Sequence, residues 1–169
     1  MARVHFVKKA RTDHGSIKAG ESYYWWAFRF GGRHVSKTHP RPSQLTQSKY
    51  LSAALSLQEQ IEDMKVEDDN LENVAGELRS VADEIRTLGE EQEEKIGNMP
   101  DSLQDSDTAQ MLQGRAEACE ALAGELESAA DEIEDLIDVD VDVDVDDPAA
   151  AGADQAKSII DGIGWELDP

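Results

Sequence analysis

The chain has 169 residues, enough for one domain or for a small module with a helical extension, and its 16 Lys/Arg against 37 Asp/Glu give a net charge of −21. A single cysteine, Cys119, excludes an internal disulfide framework, and no apolar run approaches the ~20 residues that span a bilayer. The start, MARVHFVKKA, lacks a signal-peptide hydrophobic stretch, so the expectation is a soluble cytoplasmic protein (host cytoplasm if viral) with no membrane contact.

The charge is segregated. Residues 1–50 hold ten Lys/Arg against only Asp13 and Glu21, a net of +8, and residues 51–169 hold six against 35, a net of −29. Aromatics follow the same boundary, with Trp165 alone beyond Tyr50. Asymmetry on this scale points to two surfaces, at least one of them with an oppositely charged partner.

In chain order, Arg3 to Lys9 alternates and is β-rich, and residues 10–21 read as a loop with Gly15 and Gly20. Ser22 to Phe30 (SYYWWAFRF) is the strongest strand signal, and Gly31-Gly32 is a predicted two-residue hairpin turn with both positions at positive φ. Arg33 to Thr38 returns, Pro40 and Pro42 stop it, and Ser43 is the expected N-cap of the next helix. That turn pairs Phe30 with Arg33, Phe28 with Val35 and Trp26 with Lys37. Tyr24, Trp26, Phe28, Phe30 and Val35 then form the core face under the helix, and Tyr23, Trp25, Arg29, His34 and Thr38 share the open face.

Aromatic and basic groups on an open sheet face suit nucleic acid, because cations neutralise phosphates and rings stack on bases. The candidate nucleic-acid-binding residues are Lys8, Lys9, Arg11, Tyr23, Trp25, Arg29, Arg33, His34, Lys37 and Arg41. Two alternatives stay open: a protein-binding sheet face, or Tyr23 and Trp25 packed under the first strand or against the later helices.

The run YYWWAFRFGGRHVSKT, an aromatic strand, a Gly turn and a return strand before a helix, resembles the arm-type DNA-binding module of tyrosine recombinases. The likeness covers residues 1–60 and implies a three-stranded sheet backed by a helix and inserted in the major groove. No recombinase catalytic domain follows, so that activity is not implied. SKTHPRPSQLTQS also looks like segments of small phage and prophage proteins.

From Ser43 the pattern is helical, with Leu51, Leu55, Gln58, Ile61 and Met64 on one expected face. Asp68-Asp69-Asn70 marks an irregularity or a new start. Leu71, Val74, Leu78, Val81, Ile85 and Leu88 then form a helix-pairing seam, and Cys119, Leu122, Leu126, Ala129, Ile133 and Leu136 form another. Residues 71–88 align with 119–136 at an offset of 48 without a gap, with 11 of 18 positions identical. An internal duplication is therefore expected, giving two antiparallel helices joined across the stop Gly97-Asn98-Met99-Pro100 and a start near Ser106 or Asp107.

Their outer faces are nearly all Glu and Asp, which reads as a solvated face or as a DNA mimic. Asp138 to Asp147 is low-complexity and reads as an acidic linker; it begins like a calcium loop, but Val143 and Ala149 stand where Gly and Glu are needed. Beyond Pro148, an apolar patch of Ile159, Ile160, Ile163, Trp165 and Leu167 docks on the hairpin or serves as a peptide motif. No Walker loop, dinucleotide fingerprint, nucleophile elbow or Cys/His zinc pattern is present, so no cofactor, metal or enzyme activity is expected.

The expected architecture is α+β: a small three-stranded antiparallel sheet followed by an acidic antiparallel helical hairpin or bundle. Its parts are a basic module (1–42), the helices (43–137), the linker (138–148) and the tail (149–169). The expected function is a non-enzymatic binding protein whose basic sheet contacts nucleic acid while the helices serve protein interaction or self-association. The alternatives are an acidic DNA-mimic inhibitor of a nucleic-acid-binding enzyme, phage-encoded or not, and a viral structural or assembly protein.

Overall fold

A computed structural model describes residues 1–137 and 148–167. The chain divides into two compact units, residues 1–56 and 57–169. A three-stranded antiparallel sheet is followed by an α-helical bundle. The acidic-linker reading and the calcium-like start fall on residues 138–147, outside the described residues.

In the first unit the strands β1 (His5–Val7), β2 (Tyr23–Ala27) and β3 (Arg33–Ser36) lie in the order β1-β2-β3. The hairpin differs from its expected form. The turn closes at Phe28–Gly31 through Gly31 N–H donating to Phe28 C=O at 3.3 Å, and positive φ is confined to Gly15 and Gly20 among the described residues. Gly31 sits in close quarters instead: a Cβ there would stand 3.2 Å from Phe28 Cβ and would push aside the Gln47 side-chain end, 2.9 Å away.

The register shifts accordingly. Trp25 opposes Val35, Trp26 opposes His34 and Ala27 opposes Arg33. An odd shift exchanges the faces of one strand relative to the other. Val35, expected in the core, therefore joins Trp25, and His34 joins Trp26. Phe30, also expected in the core, stands at the turn tip, 87% exposed. Trp26 is buried, its Nε1–H donating to the Gln44 carbonyl at 3.1 Å. That carbonyl belongs to a 3-10 turn, Pro42–Leu45, and α1 (Lys49–Glu62) starts only after Ser48, whose Oγ accepts from Leu51 N–H at 3.3 Å. The residues buried along α1 are Tyr50, Ala54, Leu57, Glu59 and Ile61, and the expected Leu51, Leu55 and Gln58 are only half-buried.

In the second unit α2 (Leu71–Gly97) packs along α3 (Asp107–Ile137). Asn70 fastens the entry to α2 by accepting from Glu67 N–H (3.0 Å) and donating to the Lys65 carbonyl (2.9 Å). Ser106 Oγ accepts from Ala109 N–H at the start of α3 (3.3 Å). Leu71, Val74, Leu78, Val81 and Ile85 of one seam are buried, as are Cys119, Leu122, Leu126, Ala129 and Ile133 of the other. Leu88 and Leu136 are half-buried. Four further buried residues, Ala75, Ala82, Ala123 and Ala130, widen each seam to a three-position face.

The helix α4 (Pro148–Asp161) packs on α3. The tail beyond it stays with the bundle: Gly164 N–H donates to Glu125 at 3.3 Å and Leu167 is buried. Ile160, Ile163 and Trp165 line a cleft of about 440 Å³ with Ile61 and Met64. Among the described residues no helix is long and apolar enough to cross a membrane.

Candidate nucleic-acid interface

Alternation along β2 sends Tyr23 and Trp25 to one face of the sheet and Tyr24 and Trp26 to the other. Every one of these four rings meets a histidine. His14 lies 5.7 Å from Tyr23, His39 edge-on 5.2 Å from Tyr24, His5 stacked 4.3 Å from Trp25, and His34 stacked 5.4 Å from Trp26.

Around Trp25 the arrangement is tightest. His5 of β1 stacks on it, and the Arg33 guanidinium of β3 lies over it at 4.3 Å, an aromatic–cation contact that also lets Arg33 donate to the Tyr23 hydroxyl at 3.3 Å. Among the described residues no carboxylate pairs with Arg33, which is exposed.

Tyr23, expected on the open face, is buried at 5% exposure. The segment after β1 folds over it, with Ala10 and Ile17 forming a small core partly completed by Val7 and Trp25. This segment is hydrogen-bonded throughout, with Ala10 N–H on the Glu21 carbonyl and His14 paired with Ile17. One of the two candidate rings of this face is thereby hidden: Tyr23 takes its ring out of water while its hydroxyl keeps Arg33 as a donor.

Of the other candidates, Lys8, Lys9 and Arg11 are exposed on the segment after β1, Arg29 is exposed at the turn, and Arg41 is exposed before the 3-10 turn. His34 is exposed but stands on the Trp26 face. Lys37 pairs with Glu21 at 3.0 Å. Glu21 also accepts the Lys18 backbone N–H at 2.7 Å; that bond, and then Lys37, hold its carboxyl below its ordinary value. Asp13, the other acid of this segment, pairs with Lys18 at 3.4 Å. The exposed cations Lys8, Lys9, Arg11, Arg29 and Arg33 therefore lie in a unit whose two carboxylates are already engaged.

Three residues outside the candidate set lie next to candidate residues. His5 stacks on Trp25, Arg3 lies exposed before β1, and Phe30 stands in solvent with the Arg29 guanidinium 5.3 Å from its ring centre. Two glycines beside an Arg-Phe pair were the available signal that Phe30 caps a turn. Nothing in the sequence places His5 against Trp25 before the register is known.

Among the described residues no group of three or more His, Cys, Asp or Glu is placed to hold a metal ion. The chain matches no protein-family profile, no curated protein and no solved structure.

Proposed function

We propose that the protein is a non-enzymatic binding protein whose first unit contacts nucleic acid and whose helices serve protein interaction or self-association. The observation that carries this reading is Arg33 held over Trp25 and open to solvent, among cations that the two local acids leave uncompensated. A guanidinium fixed on a ring loses less freedom when it meets a phosphate. The resemblance to recombinase arm-type modules favours DNA as the polymer. We also propose that residues 71–88 and 119–136 arose by duplication, supported by their 11 identities over 18 positions.

The test is fluorescence anisotropy with labelled oligonucleotides across a salt series. Engagement of about five phosphates gives a log–log salt slope near −4 to −5 on duplex DNA. Residues 1–66, freed of most of the negative field, bind more tightly than the full chain. Arg33→Ala weakens both. Absence of binding by the full chain and by 1–66 at low salt removes the reading.

A second reading is favoured by the charge of the helices. Of the six cations in residues 51–169, Arg79 and Arg86 are taken up by α3 carboxylates, which leaves the outer faces strongly acidic. On that reading the helices act as a DNA mimic, and a fragment from residue 67 onward holds a nucleic-acid-binding protein while ignoring nucleic acid itself.

A further inference from the structure

The four rings of β2 already carry histidines, and Arg33 lies over Trp25 as well. Stacking a base on Trp25 displaces one of its partners. Phe30 is different: the residue is 87% exposed, and among the described residues its ring has a single ring or cation contact, the Arg29 guanidinium at 5.3 Å. A phenylalanine left in water at a turn gains nothing for the fold, and it does not sit on a floppy loop. Gly31 N–H closes the turn on Phe28, Gly31 packs against Phe28 Cβ and Gln47, and the Phe28 ring meets His34 edge-on at 5.6 Å.

At the base of this turn lies a hollow of about 390 Å³, lined among others by Arg3, Phe28, Arg29, Thr46 and Gln47. Its volume falls within the ~300–1,000 Å³ range of small-molecule sites. No carboxylate lines it, and among the described residues neither guanidinium meets one. Arg3 is brought there by the backbone, since Ala2 N–H donates to the Leu45 carbonyl at 2.8 Å, and Arg29 follows from the turn. Two arginines that meet no carboxylate, with Thr46 and Gln47, around one concavity suit a phosphodiester, and the exposed Phe30, next to Arg29 in the chain, suits the attached base.

We infer that the β2–β3 turn and the hollow beneath it form a single-strand binding site, in which Phe30 stacks on an unpaired base while Arg3 and Arg29 hold the adjoining phosphates. This rests on the nucleic-acid reading above and names the site and the form of nucleic acid it takes. A base must be unpaired to offer its face to Phe30, so the site prefers single strands to duplex.

The test uses the full chain and two fluorescein-labelled probes: an oligothymidylate about a dozen residues long, within the site sizes of single-strand binders, and an abasic strand of the same length. Phe30→Ala weakens binding to the oligothymidylate about tenfold, the scale of one lost base–aromatic stack, and leaves abasic binding unchanged, while Phe30→Tyr retains both. Arg3→Ala and Arg29→Ala weaken both probes, and each flattens the log–log salt slope by about 0.7. Equal loss on the two probes with Phe30→Ala overturns the stacking role. If Arg33→Ala weakens binding but the Arg3, Arg29 and Phe30 variants bind like the parent, this site is wrong while the nucleic-acid reading stands. If the unaltered chain binds neither probe nor duplex at low salt, both fall.

Discussion

Residues 71–88 and 119–136 differ at seven of 18 positions, and where they differ is as telling as where they agree. Their buried positions coincide: Leu71, Val74, Ala75, Leu78, Val81, Ala82 and Ile85 in α2 match Cys119, Leu122, Ala123, Leu126, Ala129, Ala130 and Ile133 in α3 at the offset of 48. Two of the differing positions carry Arg in α2 and Glu in α3, namely 79 with 127 and 86 with 134. They pair crosswise, Arg79 Nη2 donating to Glu134 at 2.8 Å and Arg86 Nη2 to Glu127 at 2.7 Å. Crosswise pairing of matched positions is what antiparallel packing about a twofold axis produces. On the same axis a segment facing its own like would set Arg79 against Arg86, or Glu127 against Glu134. The shared apolar face lets either segment pair, and the divergent charges select the unlike one.

The apolar half of that comparison carries the largest expected effect. Leu78 and Leu126 occupy matched, fully buried positions. Leu78→Ala and Leu126→Ala should each cost about 3–5 kcal/mol in urea unfolding, and the two losses should agree to within about 1 kcal/mol. A difference of more than about 2 kcal/mol breaks the equivalence of the two faces.

The charged half comes next. Arg79→Glu with Arg86→Glu faces four acidic groups against one another and lowers the melting temperature; Glu127→Arg with Glu134→Arg does the same with the opposite sign. Combining all four substitutions recovers most of the loss, because the exchange preserves every crosswise pair. A fourfold variant less stable than either double shows that the axis does not govern the charges. Acid sharpens the test. The guanidiniums hold Glu127 and Glu134 below their ordinary value of 4.5, so these carboxyls add stability above that pH, and the contribution is lost as pH falls through their folded values. The melting gap between the parent and an Arg79→Gln, Arg86→Gln variant therefore narrows as the solution is taken below pH 4.5.

The hairpin was legible in the sequence because a helix fixes its own phase. Once Leu71 and Leu78 share a face, each later position is assigned without reference to a partner, and Pro100 and Ser106 bound the connector. What the pattern hid was the width of the face, since Ala75, Ala82, Ala123 and Ala130 carry little apolar signal yet permit close approach. The sheet was less legible because strand pairing depends on the turn. Reading Gly31-Gly32 as the turn displaced the partner strand by three residues, and from that one choice follow the wrong faces for Val35, Phe30 and His34. The cations of the candidate site were visible as a composition with two acids. The ring partners were not, because His5 and Arg33 reach Trp25 only through the register.

The glycines set the limit of the twofold relation and give the smallest effect. Gly76 and Gly124 are matched, both lie inside helices, and an added Cβ would meet nothing within 4 Å at either. Replacing each with Ala removes backbone freedom from the unfolded chain without a clash, so each should raise stability by about 0.5–1 kcal/mol. Gly89 is one residue past the matched segment, and its counterpart at the same offset is the exposed Ile137. Here the helices approach closely: a Cβ on Gly89 would stand 3.1 Å from Cys119 Cβ and 3.4 Å from the Ala116 carbonyl oxygen. Those atoms belong to the α3 backbone and the root of a side chain, so neither can swing aside and the helices themselves must part. Gly89→Ala should therefore lower the melting temperature in spite of its better helix propensity, whereas Gly76→Ala and Gly124→Ala raise it. A rise in all three would place the two helices farther apart at Gly89 than the 3.1 Å approach to Cys119 allows, and a fall at Gly124 alone would mean that α4, which packs on α3, closes on that position.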